Sequence, residues 1–162
     1  MKTMRLFGLL LLLLLISLAQ VVRPPVETDD KGCVTLKYFE EFKALDNFNG
    51  GGVTNNPTVS TTFTLAQNST ITAIQTYHWN NGRGAALGTI KLVHANGTVY
   101  GPWTATGSPG SGGVANAFWT VSPNVVLPAG TYTVVDGSNA TWSCNSQSQN
   151  KGFAKVLAKR II

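Results

Sequence analysis

The stretch from Gly88 to Trp103, GTIKLVHANGTVYGPW, decides the fold class because it has the pattern of two short strands joined by a tight turn. Ile90, Leu92 and His94 occupy alternate positions, so they share one face of an extended strand. Asn96-Gly97 follows, and this dipeptide favours a two-residue hairpin turn. The stretch therefore predicts an antiparallel β domain whose apolar face packs against other strands.

Short runs of the same kind flank this hairpin. The run from Ser69 to Trp79, STITAIQTYHW, has mixed parity, because Ile71 lies on one face and Ile74 on the other, and a β-bulge would reconcile them. Four more segments are predicted to form strands: STTFTLA (60–66), AFWTVSPNVVL (117–127), AGTYTVVD (129–136) and the closing strand KGFAKVLA (151–158). In the first of these, Phe63 and Leu65 share one face. The second and third are predicted to pair with each other across the turn LPAG.

Composition supports this interpretation. Thr, Gly, Asn and Ser make up half of residues 47–150, and no long helical period occurs there. Short strands separated by turn residues predict an all-β antiparallel sandwich over residues 47–162. The loops at Asn80–Gly88 and Thr106–Val114 favour a jelly-roll-like arrangement over an Ig-like one.

The N-terminus predicts a signal peptide over residues 1–19. Lys2 and Arg5 precede the apolar run from Leu6 to Leu18, and Ser17-Leu18-Ala19 fits a cleavage site. The alternative is an uncleaved membrane anchor, for which the apolar stretch is short. Cleavage predicts a protein that is secreted or displayed at the cell surface, with no remaining membrane segment.

Residues 20–46 are predicted to form a linker and a short helical or irregular arm. Tyr38, Phe42 and Leu45 have helical spacing within the segment from Val34 to Asp46, whereas a strand over Val34 to Tyr38 is the competing interpretation.

The two cysteines, Cys33 and Cys144, predict one disulfide if the chain is exported to an oxidising compartment. Such a bridge would close a loop of roughly 110 residues, for which chain-entropy models allow about 4–5 kcal/mol. The alternative is a pair of buried free thiols.

The formal net charge of +5 does not describe the predicted domain. Residues 47–150 contain only three formal charges, at Arg83, Lys91 and Asp136. Nucleic-acid binding requires a stripe of basic residues that neutralises phosphates, and this region has none. Nucleic acid is therefore excluded as a predicted partner.

The same region offers little for catalysis or metal binding. It has one carboxylate, Asp136, whereas glycoside hydrolysis needs two carboxylates about 5–10 Å apart. His78 has no acid–base partner nearby in the sequence. His78, His94 and Asp136 could hold a transition metal, and the oxygen donors at Asp136 and Asn139 could hold calcium, but neither set has a diagnostic metal spacing. The sequence predicts no catalytic residue, no metal and no cofactor, and hence no enzyme.

Aromatic residues remain as binding candidates. If Thr76 and His78 point inward, then Tyr77 and Trp79 point outward, and one residue of bulge would reverse this. Flat rings beside amides suit a neutral polyhydroxylated ligand, while the alternative is that the rings pack in the core. The predicted ligand-binding residues are Tyr77, Trp79, Asn80, Asn81, Arg83 and Trp103.

Three glycosylation sequons begin at Asn68, Asn96 and Asn139, all in predicted turns. The glycine-rich stretch from Thr106 to Gly113 lacks the lysine and the helix of a phosphate-binding loop, so it is at most the rim of a groove.

Four motifs in order, TYHWNNGRGAALGTI (76–90), YGPW (100–103), LPAGTYTVVD (127–136) and TWSCN (141–145), resemble an uncharacterised extracellular β-sandwich domain that recurs in bacterial secreted proteins. The similarity spans roughly Phe48 to Val156. It implies an exported sandwich module and carries over no catalytic residue. The turn after Asp136 is less acidic than is usual in that domain, which weakens the calcium hypothesis. A cysteine at the position of Cys144 is also unusual there, which fits a bridge to Cys33.

Two functions follow as expectations. The first is a non-catalytic binding or adhesion module for neutral carbohydrate or another cell-surface polymer. The second is a structural subunit of a surface layer or filament that self-associates through sheet edges, with the segment FAKVLAKRII (153–162) adding to a neighbour's sheet.

Overall fold

The computed structural model describes residues 26–28, 34–36 and 38–161, with side chains from Tyr38 onward. The predicted signal peptide, most of the predicted linker, Cys33 and Ile162 lie outside the described residues. Among the described residues, no helix is long and apolar enough to cross a membrane. The strands are β1 (Val26–Thr28), β2 (Val34–Leu36), β3 (Phe39–Asp46), β4 (Thr54–Asn55), β5 (Thr61–Leu65), β6 (Ser69–Tyr77), β7 (Thr89–His94), β8 (Val99–Thr104), β9 (Thr106–Ser108), β10 (Phe118–Val121), β11 (Val125–Leu127), β12 (Gly130–Asp136), β13 (Ser143–Cys144) and β14 (Ala154–Ile161).

The strands from β3 onward form an antiparallel β-sandwich, as the sequence predicts. One sheet has the order β3-β14-β6-β10-β9, with β11 also paired to β6, and the other has the order β5-β12-β7-β8. Strands β4 and β13 form a small additional pair, while β1 and β2 pair with each other in a separate unit that ends at Leu36. The chain changes sheets between β5 and β6, β6 and β7, β8 and β9, and β11 and β12, and such crossings are typical of jelly-roll-like sandwiches.

The core lies between the two sheets and is built by alternation along the strands. In β5, Phe63 and Leu65 are buried whereas Thr62 and Thr64 are exposed, as predicted. Large side chains that are fully buried between the sheets include Trp119, Tyr132, Ile71, Ile74 and Leu92. Their burial removes apolar surface from water and fixes which face of each strand points inward.

A bulge in β6 resolves its mixed parity, which confirms the prediction. Along the partner strand β14, consecutive residues Leu157 and Ala158 pair with Ala73 and Ile71, so β6 carries one extra residue at this point. As a result Ile71 and Ile74 are both fully buried despite their odd spacing.

The hairpin of β7 and β8 is confirmed, but its predicted two-residue turn is wrong. Gly97 N donates to His94 O at 2.8 Å and Gly97 has a φ of 92°, which places Ala95 and Asn96 at the centre of the turn. The left-handed glycine completes a three-residue hairpin loop.

The predicted pairing of AFWTVSPNVVL with AGTYTVVD is also wrong. The first segment forms β10 and β11, which both pair with β6, whereas the second forms β12 in the other sheet. The LPAG turn carries the chain from one sheet to the other. Likewise, Thr106–Ser108, predicted to be loop, forms the edge strand β9.

The predicted helix over Val34 to Asp46 is absent, because Phe39–Asp46 forms strand β3. Lys43 and Leu45 pair with the consecutive residues Leu157 and Val156, so Ala44 between them forms a bulge. The bulge shifts the alternation of the strand by one residue, and this shift gives the apolar residues a spacing that resembles a helical period. The sandwich therefore begins before Asn47, with strand β3. The closing strand β14 is confirmed, but it lies between β3 and β6, so it is an interior strand and not a free edge.

The predicted disulfide is not supported by the structure. Within the described residues, Cys144 is a free thiol that is 3% exposed, and Thr54 Oγ1 lies 3.6 Å from its sulfur. Its proposed partner Cys33 lies outside the described residues.

Candidate functional site

The carboxyl end of β6 directs neighbouring side chains to opposite faces of its sheet. Ile74, Thr76 and His78 point inward and are fully buried. Tyr77 points to the outer face, where it is 8% exposed, and Trp79 beside it is half-buried. Of the two directions that the sequence left open, the outward one is found, but Tyr77 is buried there in a second apolar cluster.

An aromatic pocket lies on this outer face. It has a volume of about 380 Å³, within the range of roughly 300–1,000 Å³ that is typical of small-ligand sites. Its lining consists of five aromatic residues, a glycine-rich segment and one serine: Phe48, Tyr77, Trp79, Phe118, Phe153, Asn49–Val53 and Ser111.

Packing between the rings fixes the floor of the pocket. Tyr77 and Phe118 are cross-strand partners on β6 and β10, and their ring centroids are 4.6 Å apart. Phe48 stacks on Phe153 with centroids 5.6 Å apart and meets Tyr77 edge-on at 6.2 Å. Offset and edge-on contacts of this kind are the favoured aromatic geometries, so the floor is preorganised.

Two loops hold the walls. Ser111 N donates to the Tyr77 hydroxyl at 3.1 Å, and Gly110 lies so close that a Cβ there would be 2.8 Å from the Tyr77 ring. On the opposite wall, the Asn49 and Asn145 side chains exchange hydrogen bonds of 3.1 and 2.7 Å, and Asn145 also donates to Gly52 O. The side chain of Asn49 therefore anchors its loop.

The lining of the pocket is uncharged. No charged side chain lines it within the described part of the chain. Lys155 contacts one lining ring from outside the pocket, with its Nζ 5.6 Å from the Phe48 centroid. Lys155 is paired with Asp46 at 3.7 Å, and Lys43 binds the same carboxylate at 3.0 Å. Partial burial raises the pKa of Asp46, but the hydrogen bond from Lys43 and the charges of both lysines together hold this pKa below its ordinary value.

Only two of the six predicted ligand-binding residues, Tyr77 and Trp79, line the pocket. Asn80 closes its own turn, because its side chain donates to Gly84 O at 2.9 Å and accepts from Asn55 at 2.9 Å. Asn81 and Arg83 are exposed in the same loop, outside the pocket. Trp103 lies on β8 in the other sheet, where it packs half-buried against the main core.

The lining residues that the sequence left unassigned are chiefly Phe48, Phe118, Phe153 and the Asn49–Val53 segment. The sequence contained a signal for Phe118, since it stands opposite Tyr77 once β6 and β10 are paired. The glycine-rich stretch at 106–113 does contribute a rim residue, Ser111, as expected.

A buried polar cluster lies on the inner face, and sequence reasoning missed it. His78 Nε2 is 3.1 Å from Asp136 Oδ2, which also accepts a hydrogen bond of 2.7 Å from Thr76 Oγ1. Asp136 Oδ1 accepts from Ser138 N at 2.7 Å, and His78 Nδ1 is 2.9 Å from Thr141 Oγ1. No acid–base partner of His78 is nearby in the sequence, as expected, but the fold supplies one from the facing sheet.

This arrangement resembles a hydroxyl–histidine–carboxylate triad in its contacts but not in its setting. His78 and the side chain of Asp136 are fully buried, and the His78 ring stacks on Trp119 with centroids 3.8 Å apart. Thr141 Oγ1 also lies 2.9 Å from Ser138 Oγ. Because both ring nitrogens and both carboxylate oxygens have partners, the cluster serves to tie β6 to β12 across the sandwich.

Other candidate positions are distributed over the surface. Asn68, Asn96 and Asn139 are exposed in turns, as the sequence predicts. Among the described residues, no group of three or more His, Cys, Asp or Glu side chains is placed to hold a metal ion.

Fold and site together define an antiparallel β-sandwich with an uncharged aromatic pocket on one outer sheet face. Comparisons with protein-family models, with curated proteins and with solved structures returned no match. The resemblance to an extracellular sandwich domain therefore stays a prediction.

Proposed function

We propose that the protein is an exported, non-catalytic module that binds neutral carbohydrate in the aromatic pocket. The observation that carries this proposal is the pairing of five aromatic rings with amide, hydroxyl and bare backbone groups in a lining without charge. Export to the cell surface or the medium rests on the N-terminal sequence pattern.

A sugar ring matches this lining chemically. Its apolar C–H face can lie against the exposed part of Trp79 or Phe118, as amphipathic surfaces pack on aromatic faces. Its hydroxyls can reach the Ser111 hydroxyl and the backbone groups of Gly50 and Gly52, which are exposed at the rim. A charged ligand would lose its hydration here, and the cation beside the lining, Lys155, is already paired with Asp46, so neutral ligands are favoured.

The lining also argues against chemistry in the pocket. Within residues 38–161, the pocket is lined by no carboxylate, imidazole or thiol that could act as acid, base or nucleophile. The His78–Asp136 pair lies on the inner face of the sheet and is fully buried. Binding is therefore the function that the site supports best.

The alternative of a filament subunit has lost one of the features that motivated it, the free terminal segment. Strand β14, which was expected to add to a neighbour's sheet, already has partners on both sides. Edge strand β3 carries Glu40, Glu41 and Lys43, and charged residues on an edge oppose pairing between sheets.

A binding assay with two tryptophan variants tests the proposal. The chain without residues 1–19 is screened against soluble β-glucans, mannans, xylans and chitin oligosaccharides. Trp79→Ala should weaken binding by roughly 10- to 100-fold, because about 1.5–3 kcal/mol of ring contact is lost.

Trp103→Ala is the matched control, since Trp103 is also half-buried but lies on the other sheet. It should leave the affinity unchanged. The proposal fails if no glycan binds, or if Trp79→Ala binds as well as the parent chain.

A further inference from the structure

Three consecutive glycines, Gly50 to Gly52, form one wall of the aromatic pocket. They are not equivalent in their surroundings. A Cβ at Gly51 would lie 3.0 Å from Asn145 Nδ2 and 3.2 Å from Asn49 Oδ1, so the packing of this wall explains the glycine. A Cβ at Gly50 or Gly52 would meet no atom within 4 Å.

Backbone conformation does not require glycine at Gly50 or Gly52 either. The positive-φ glycines of the described residues are found elsewhere, as at Gly97 and Gly101. Glycine is costly in folding because it loses more conformational freedom than any other residue. Two positions therefore carry the least favourable residue for folding although neither space nor φ demands it, and both face the pocket.

The rim opposite Gly50 and Gly52 also carries only a short side chain. Ser111 is its lining residue, and it extends no further than a hydroxymethyl group. The Asn49 side chain is held in place by its two hydrogen bonds with Asn145. Gly50, Gly52 and Ser111 therefore contribute no long side chain to the two rims.

We propose that Gly50 and Gly52 are specificity-determining positions that keep the pocket open as a cleft, so that it accepts internal units of an unbranched neutral polysaccharide. A polysaccharide with one sugar unit on the aromatic floor can then extend to its next unit past a rim that carries no side chain. A site for chain ends would instead close around the terminal sugar. This inference rests on the proposed carbohydrate-binding function and specifies the form of the ligand.

The test adds a side chain to the rim. Gly50→Leu and Gly52→Leu are compared with the parent chain for binding to mannan, xylan and mixed-linkage β-glucan, each as polymer and as its disaccharide. Ala66→Leu is the control, because it adds a leucine at an exposed position outside the pocket. Melting temperatures are measured for all four proteins.

The expected result is a loss of polymer affinity of at least about tenfold in either rim variant, with disaccharide affinity within about threefold of the parent value. Melting temperatures of the rim variants should equal or exceed that of the parent. Ala66→Leu should change none of these quantities.

Each other outcome overturns the inference in a distinguishable way. Unchanged polymer binding in the rim variants would show that the bare wall has no role, while leaving the proposed function intact. Equal losses for polymer and disaccharide would show that the rim does not distinguish internal units from chain ends. A melting temperature lowered by several degrees would mean that the fold itself needs these glycines. Absence of glycan binding by the parent chain would overturn both the proposed function and this inference.

Discussion

Replacing Asp136 with alanine should be among the most destabilising single changes in the sandwich. The carboxylate is fully buried and accepts hydrogen bonds from Thr76 Oγ1 at 2.7 Å and from Ser138 N at 2.7 Å, and it lies 3.1 Å from His78 Nε2. Its removal takes the acceptor from Ser138 N, and it leaves Thr76 Oγ1 and His78 Nε2 only each other as partners, at 3.2 Å, in a fully buried site. An unsatisfied buried group costs about 1–3 kcal/mol, and breaking a buried charged or polar pair about 3–5 kcal/mol in total.

Equilibrium unfolding in urea, followed by tryptophan fluorescence, measures this cost. We expect Asp136→Ala to lose about 3–5 kcal/mol of unfolding free energy, or about 10–20 °C in melting temperature for a domain of this size. Asp46→Ala is the matched control, since Asp46 is a carboxylate in surface ion pairs. It should lose only about 0.2–1 kcal/mol. A loss below about 1 kcal/mol for Asp136→Ala, or one equal to the control, would refute the assignment of the buried cluster as a cross-sheet tie.

Three further predictions concern the pocket wall, the acid response and the thiol. Gly110→Val should destabilise the fold by about 1–3 kcal/mol and weaken glycan binding, because its Cβ would be 2.8 Å from the Tyr77 ring, and parent-like stability would contradict the packing described. The lowered pKa of Asp46 means that its ion pairs stabilise the protein above the unfolded-state pKa, which is near 3.8, and that this stabilisation is lost as the pH falls through the lower folded-state pKa. Asp46→Asn should therefore be less stable than the parent at pH 7 but equal to it near pH 2, and a constant difference across this range would contradict the ion-pair explanation. Buried Cys144 should resist iodoacetamide in the native protein and react after unfolding without reductant, as mass spectrometry would show, whereas no reaction after unfolding would indicate a disulfide.

Local alternation allowed much of the fold to be predicted. Phe63 and Leu65 point inward with Thr62 and Thr64 outward because the strand period is two, and this period depends on no distant residue. The bulge in β6 was also predictable, since Ile71 and Ile74 cannot share a regular strand face. Strand β3 was misread because its bulge at Ala44 shifts the parity and imitates a helical spacing.

Long-range pairing was the part that the sequence could not supply. His78 and Asp136 are 58 positions apart, and they meet only because β6 and β12 lie in facing sheets. The pocket likewise needs Phe48, which follows an edge strand, and Phe153, which precedes an interior one. Tyr77 and Trp79 were identifiable as candidates because they alternate with Thr76 and His78 along one strand, although their direction stayed open.

The central claim is that neutral glycan binds against the outer-face rings, and two-dimensional amide and indole NMR tests it most directly. The chain has four tryptophans, so it gives four indole N–H signals that can be assigned by single Trp→Phe substitutions. Titration with a binding glycan should shift the Trp79 indole and the backbone amides of Gly50 to Gly52, and it should leave the Trp103 indole in place. Shifts confined to Trp103 and the four-stranded sheet, or no shifts with any of the neutral glycans, would contradict the account.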